Sequence, residues 1–243
     1  MKLELVFHDD FMYEGLPSKD YWVMETGGHG FGNNEDQFYT DRLDNVFVKN
    51  GILHIKAMKE KYENRNYTSA KLTTYGINSI KYGRVEIKAK LPAGKGTWPA
   101  FWMLPDSIRN GVKWPLCGEI DIMEHIGRDQ DMVHFSLHTE SYNFKDDSQF
   151  TKFLTIPGVT ENFHTYSMEW DEEGIKFFVD DLLLANFRKG DREDIEETGW
   201  PFDQKFYLVL NLAVGGYWGG AIDEDSFPWA MEIEDVKVYK KLE

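Results

Sequence analysis

The feature that most constrains this chain is a repeated alternation of apolar and polar residues in short runs. In RVEIKAKL (84–91), Val85, Ile87, Ala89 and Leu91 fall on one side, and Arg84, Glu86, Lys88 and Lys90 on the other. A period of two is the mark of a strand with one face buried. MVHFSLHT (132–139) sets Val133, Phe135 and Leu137 against His134, Ser136 and His138, and KFYLVLNLAV (205–214) alternates in the same way. Segments 163–170 and 175–180 read as further strands. Asn50-Gly51, between VFVK and ILHIKA, predicts a two-residue hairpin turn of type I′. No apolar-periodic stretch is long enough to predict a substantial helix. Many short strands divided by Gly, Pro, Asn and Asp turns predict an all-β sandwich of two sheets.

A length of 243 residues, without repeats, linkers or low-complexity tracts, predicts one domain over 1–243. The lone Cys117 excludes an internal disulfide. No run of 18 apolar residues exists, so no membrane-spanning helix is expected. The opening MKLELVFHDDF carries acids by position 9 and does not read as a signal peptide. Two locations stay open: outside the cell with a leader removed, or the cytoplasm. A net charge of −15 argues against nucleic acid and anionic membranes as partners. The 17 Phe, 12 Tyr and 8 Trp are mostly core, with a few Trp expected to line a groove where they can stack on apolar sugar faces.

The chemistry-bearing segment is GEIDIMEHIG (118–127). On a strand Glu119 and Asp121 share a face while Ile120 and Ile122 fill the other. Plain alternation would put Met123, not Glu124, beside the two acids. One added residue at Met123, a β-bulge, returns Glu124 to their face. Three carboxylates in a row repel, so at least one should keep its proton near neutral pH. Glycoside hydrolysis needs this division, with one protonated acid to assist the leaving oxygen and one carboxylate to attack the anomeric carbon. A retaining enzyme needs the two carboxyls about 5–5.5 Å apart, which two long Glu side chains leaning over a middle Asp can reach. Just upstream, GTWPAFWMLP (96–105) carries two Trp, a Phe and two Pro. It is a poor plain core strand, because Pro interrupts ladder pairing.

Together these blocks resemble glycoside hydrolase family 16, and within it the laminarinases. GGHGFGNNEDQFYT (27–40), YGRVEIKAKLP (82–92), FHTYSMEWDEEGIKFFVDD (163–181) and NLAVGGYWGG (211–220) are similar to its other blocks, in the family's order. The resemblance implies a β-jelly-roll sandwich of two curved antiparallel sheets with a concave substrate cleft. It also implies double displacement with retention, Glu119 as nucleophile, Glu124 as acid then base, and Asp121 as the group tuning the nucleophile. The E-x-D-x-x-E spacing is laminarinase-like, whereas bacterial lichenases use E-x-D-x-E. β-1,3-Glucan is therefore the expected partner, mixed-linkage β-1,3/1,4-glucan the second, and the chain is expected to act as a monomer without a catalytic cofactor. By the same matching Trp98 and Trp102 flank the cleft, Asn33, Asn34 and Arg84 bond sugar hydroxyls, His138 lies near the acid/base, and Trp218 is a rim contact. A structural calcium held by Asp10, the Gly51 carbonyl and Glu234 is also implied.

Departures from the family pattern bear on subsites rather than on the acids. Phe31 stands where relatives often have Trp, Phe144 replaces a common histidine, and Tyr217 and Gly219 replace an Asn and a Pro. Other signals carry nothing. GGHGFG (27–32) opens no helix and reads as a turn. His134 and His138 lie roughly 13 Å apart along a strand, too far to share an ion. KGDREDIEETG (189–199) reads as a solvated loop or short surface helix. Two alternatives stay on the same fold: a non-catalytic glucan-binding protein, against which the intact acids argue, and a hydrolase of agarose, carrageenan or xyloglucan.

Overall fold

The computed structural model describes residues 1–193 and 196–242, the side chains of 196 and 197 excepted. The first strands are β1 (Leu3–Asp9), β2 (Val23–Glu25), β3 (Gln37–Tyr39), β4 (Val46–Lys49), β5 (Ile52–Tyr62) and β6 (Arg65–Ser69). They are followed by β7 (Lys71–Thr73), β8 (Ser79–Ile80), β9 (Gly83–Lys90), β10 (Thr97–Pro105), β11 (Glu119–His125) and β12 (Met132–His138). The last are β13 (Phe150–Thr155), β14 (His164–Trp170), β15 (Gly174–Val179), β16 (Leu182–Arg188), β17 (Phe206–Val214) and β18 (Trp229–Lys241). Among the described residues helix is confined to pieces of three to five residues, among them α1 (Glu196–Gly199), inside the charged run 189–199, and α2 (Gly216–Gly219). Residues 194 and 195 of that run lie outside the described residues. No helix among the described residues is long and apolar enough to cross a membrane.

Two sheets form a jelly-roll sandwich. The first runs β16-β15-β14-β9-β18-β5-β6-β3, with β1 and β4 added beside it; the second runs β13-β12-β11-β10-β17-β7-β2, with β8 against β17. Among the described strands, pairing is antiparallel except between β3 and β6. The alternating strands send Val85, Ile87 and Ala89 from one sheet, and Ile120, Phe135, Leu208 and Leu210 from the other, into one shared core. Each Val, Ile, Leu or Phe among them stabilises the fold by roughly 1.5–3 kcal/mol when fully buried. The hairpin turn is where the sequence puts it, since Asn50 and Gly51 both have positive φ (55° and 74°) and Lys49 pairs with Ile52. The N-terminus is pinned by Asp9, which is buried and accepts bonds from the Trp22 indole at 2.8 Å and the Tyr13 hydroxyl at 2.9 Å.

The sandwich corrects one expectation and bears on another. Arg84 lies on β9 of the first sheet, with its neighbours Val85 and Ile87 in the core, so its side chain is on the outer face. There it bonds Glu86 at 2.6 Å, Glu169 at 3.0 Å and Asp181 at 3.0 Å. The whole sandwich separates it from the acids of β11, so it cannot bind a sugar beside them. Of the calcium ligands that the resemblance implies, the two carboxylates are engaged by partners within the chain. Asp10 Oδ1 accepts the Met12 amide at 3.2 Å, Gly51 sits in the hairpin turn, and Glu234 is paired with the Lys88 ammonium. A lysine cation supplies the charge opposite Glu234 that a calcium would have to supply.

β17 shows a further difference. Alternation gave it one wet face, yet all nine of its residues are buried. Its second face carries a smaller apolar cluster of Leu104, Tyr207 and Val209, packed with Tyr75, Trp102, Ile108 and Trp114. This floor supports the groove described next.

Candidate active site

β11 sits in the middle of the second sheet, between β10 and β12. Two glycines bracket it. Gly118 enters at φ 85°, and a Cβ there would come within 2.8 Å of Pro201. Gly127 closes the other end, where a Cβ would meet the Gly94 carbonyl at 1.8 Å. The register shows how the acids align. Against β10, Asp121 pairs with Trp102 and Met123 with Phe101, leaving Ile122 without a partner. Against β12, Asp121 pairs with Ser136 and Glu124 with His134, so two residues of β11 face the single Phe135. This is a β-bulge, with Ile122 rather than Met123 as the unpaired residue. Ile122 and Met123 both enter the core, and Glu119, Asp121 and Glu124 emerge on the opposite face.

The three carboxylates shift one another. Burial first, then the Asp121 charge, lifts the proton affinity of Glu124 to about 8; His138 and a 3.0 Å bond from the Trp98 indole pull the other way. Burial raises Asp121 to about 8 as well. Burial and then the charge of Asp121 hold Glu119 well above the usual carboxylate range, with His138 and Lys71 opposing. Glu119 and Asp121 therefore titrate as a dyad that resists carrying two charges. Asp121 is the more enclosed, its side chain 4% exposed against 18% for Glu119. Placing the shared proton on Asp121 leaves Glu119 charged, facing His138 at 4.0 Å.

His138 pairs in register with Glu119 and approaches Asp121 at 3.2 Å. The histidine directly opposite Glu124 is His134. Glu119, Asp121 and His138 also place donor atoms within 4.8 Å of one another, close enough to gather round a metal ion. Trp114 and Phe144 pack near His138, with ring centres at 6.0 and 5.9 Å, and close the Glu119 end.

On the β10 side, Trp98 and Trp102 both face the groove. The Trp102 indole donates to Asn211 Oδ1 at 2.6 Å. Asn211 donates to the Tyr39 hydroxyl at 3.0 Å, and that hydroxyl donates to Glu35 at 3.2 Å. Glu35 also accepts from Gln37 at 2.6 Å and from Asn33 at 3.5 Å, and burial raises its proton affinity. Lys71 lies 5.1 Å from both the Phe31 and Trp102 rings and bonds Glu25 at 3.0 Å. Asn33 anchors the opposing loop through its carbonyl, which accepts the Tyr217 amide at 2.8 Å. Its neighbour Asn34 is an exposed turn residue at φ 53°. α2 brings Trp218 edge-on to Trp98 at 5.4 Å.

The expected residues Glu119, Asp121, Glu124, Trp98, Trp102, His138 and Trp218 thus converge, with Asn33 at the groove's edge. Glu35, Tyr39, Lys71, Asn211, His134 and Trp114 join them unannounced. Alternation on β12 and β17 already put His134 and Asn211 on the right faces; Glu35 and Trp114 lie in loops, where no period marks them.

The decisive observation is the match along the chain. The sequence profile of Glycosyl hydrolases family 16 covers residues 33–231. The chain belongs to glycoside hydrolase family 16. It is 47% identical to a beta-glucanase of Rhodothermus marinus, over 99% of this chain and 86% of that protein. The crystal structure of the Rhodothermus marinus laminarinase superposes with a TM-score of 0.96 at 46% identity, covering 100% of this chain and 99% of that one. The laminarinase catalytic domain of Thermotoga maritima gives 0.91 at 41% identity, covering 100% of both chains. As a family 16 chain, it presents the E-x-D-x-x-E row on a strand whose bulge is visible in the register.

Proposed function

We infer that this chain is an endo-acting, retaining hydrolase of β-1,3-glucan, working as a monomer. The observation that carries the reading is the bulged strand, which sets Glu119, Asp121 and Glu124 on one face with the Trp98 indole bonded to Glu124. Glu124, lifted to about 8, is protonated at neutral pH and can give its proton to the glycosidic oxygen. Glu119 attacks the anomeric carbon as the leaving sugar departs, forming a glycosyl ester. Glu124, now ionised, takes a proton from water, and the hydroxide formed on that face displaces Glu119. Two inversions restore the β configuration. Asp121 holds the dyad's proton and keeps charge on its neighbour. Similarity to the beta-glucanase and laminarinases supports a glucan, and the Trp98, Trp102 and Trp218 rings supply apolar faces for its sugars.

Reducing ends released from laminarin, barley β-glucan and agarose, with the product anomer followed by proton NMR, test this. The expected result is β-anomer first, laminarin fastest, and mixed-linkage glucan cut at 1,3-bonded positions. Activity should fall above about pH 8 as Glu124 loses its proton. Binding of laminarin without release of ends, or preference for agarose, would overturn the assignment.

A further inference from the structure

The row of rings does not stop at Glu124. Trp98 donates to Glu124, meets Trp218 edge-on at 5.4 Å, and Trp218 meets His134 edge-on at 4.9 Å. His134 lies 5.4 Å from Phe153. The strand register makes this a straight path: Glu124 pairs with His134, and His134 pairs with Phe153 on β13, the last strand of its sheet. Phe153 is 55% exposed there. A large bare ring on an edge strand is what a soluble sheet usually avoids, because edges are kept charged, short or covered. Beside it on the same face, Ser136 and Thr151 present paired hydroxyls at 3.1 Å. The Nε2 of His134 is enclosed and has no protein partner among the described residues. Burial lowers the proton affinity of His134 to about 4, so at working pH the ring is neutral and can both give and accept a hydrogen bond.

Direction follows from the chemistry. Glu124 hands its proton to the oxygen that stays with the departing sugar, and Trp218 and His134 pack round Glu124, whereas His138, Trp114 and Phe144 close the Glu119 end, so the side chains gathered at Glu124 face the departing segment. We propose that Trp218, His134 and Phe153 form a binding wall for the leaving, acceptor-side portion of a β-glucan chain. The path from β11 to β13 crosses two strand spacings, about 10 Å, the reach of about two sugar rings. The last ring of the wall, Phe153, is a specificity element: it favours long chains over short ones and holds an incoming sugar acceptor for transfer. The proposal rests on the hydrolase reading, and its test separates the two.

The variant is Phe153→Ala, whose exposed ring can be removed without opening the core, with Phe153→Trp as the restoring change. Two substrates are compared: laminarihexaose, which crosses the wall, and 4-nitrophenyl β-laminaribioside, whose leaving group is too short to reach Phe153. The expected result is about a fivefold rise in KM for the hexaose, the size of one lost ring contact. The aryl substrate should change less than twofold, transfer to added laminaribiose should fall, and Phe153→Trp should recover both. Calorimetric titration of laminarihexaose into Glu119→Gln protein, with and without Phe153→Ala, reads the wall even if the wild-type chain releases no sugar. Equal losses on both substrates, a loss confined to the aryl substrate, or unchanged hexaose binding would each overturn the proposal.

Discussion

Glu124→Gln removes the catalytic acid and also relieves the folded chain of a carboxyl that burial opposes. Burial, and next the Asp121 charge, raises Glu124 from 4.5 to about 8. Between those values the folded chain keeps a proton that the unfolded chain has released. Stability must therefore fall as pH rises through that window. Below it the carboxyl is protonated in both states and the penalty vanishes. At about 1.4 kcal/mol per tenfold change in affinity, the rise from 4.5 to about 8 sets a ceiling near 5 kcal/mol. Glu124 is partly open to solvent, and screening reduces this to roughly 2–3 kcal/mol. At about 2–4 °C per kcal/mol for a chain of this size, Glu124→Gln should gain roughly 4–12 °C in Tm near pH 9. Gln still offers an oxygen to the Trp98 indole, so that bond survives. Scanning calorimetry of both proteins from about pH 4.5 to 9 measures the difference, which should shrink steadily as pH falls. A pH-independent gain, or none at pH 9, would refute the argument.

Glu119→Gln and Glu124→Gln should each lower laminarin hydrolysis by about 10³-fold or more with the fold intact. Glu124→Gln should still cleave an aryl glycoside whose leaving group needs no proton, and Glu119→Gln should condense an α-glycosyl fluoride; full laminarin activity in either variant contradicts the roles. Arg84→Met, which leaves Glu86 and Glu169 uncompensated, should cost about 1–2 kcal/mol, read as a lower Tm, with kcat/KM on laminarin unchanged. A tenfold kinetic loss at unchanged Tm would return Arg84 to the substrate's path. Because Lys88 supplies the charge beside Glu234, chelators should shift Tm by less than about 1 °C. A fall of several degrees on chelation, reversed by added calcium, would restore a metal at Asp10, Gly51 and Glu234.

What the sequence made legible follows from what a period of two can carry. The strands at 84–91, 132–139 and 205–214 were readable because one face of each is core. The triple-acid row was readable because its parity error called for a bulge, though pairing with β10 rather than spacing decided that Ile122 is the odd residue. Arg84 went wrong for a related reason. Alternation tells which residues point outward from a sheet, not which of two sheets a strand joins, and only the β9 pairing with β14 and β18 settles that. Glu35 and Trp114 were invisible because loop residues reach the site through bridges such as Glu35 to Gly215 and through ring packing, neither of which leaves a pattern in sequence.

The insertion at Ile122 has a further consequence for how such a strand can change. Two neighbours pointing inward make a hydrophobic detour that leaves the outward parity of everything on either side untouched. Excising one of them would straighten the strand and lower packing, yet Glu119, Asp121 and Glu124 would still look the same way. Long and short forms of the acid row are thus neighbouring solutions to one constraint of handed alternation. A lineage can cross between them in a single deletion, retuning the separation of its two glutamates without ever losing the side of the sheet on which they act.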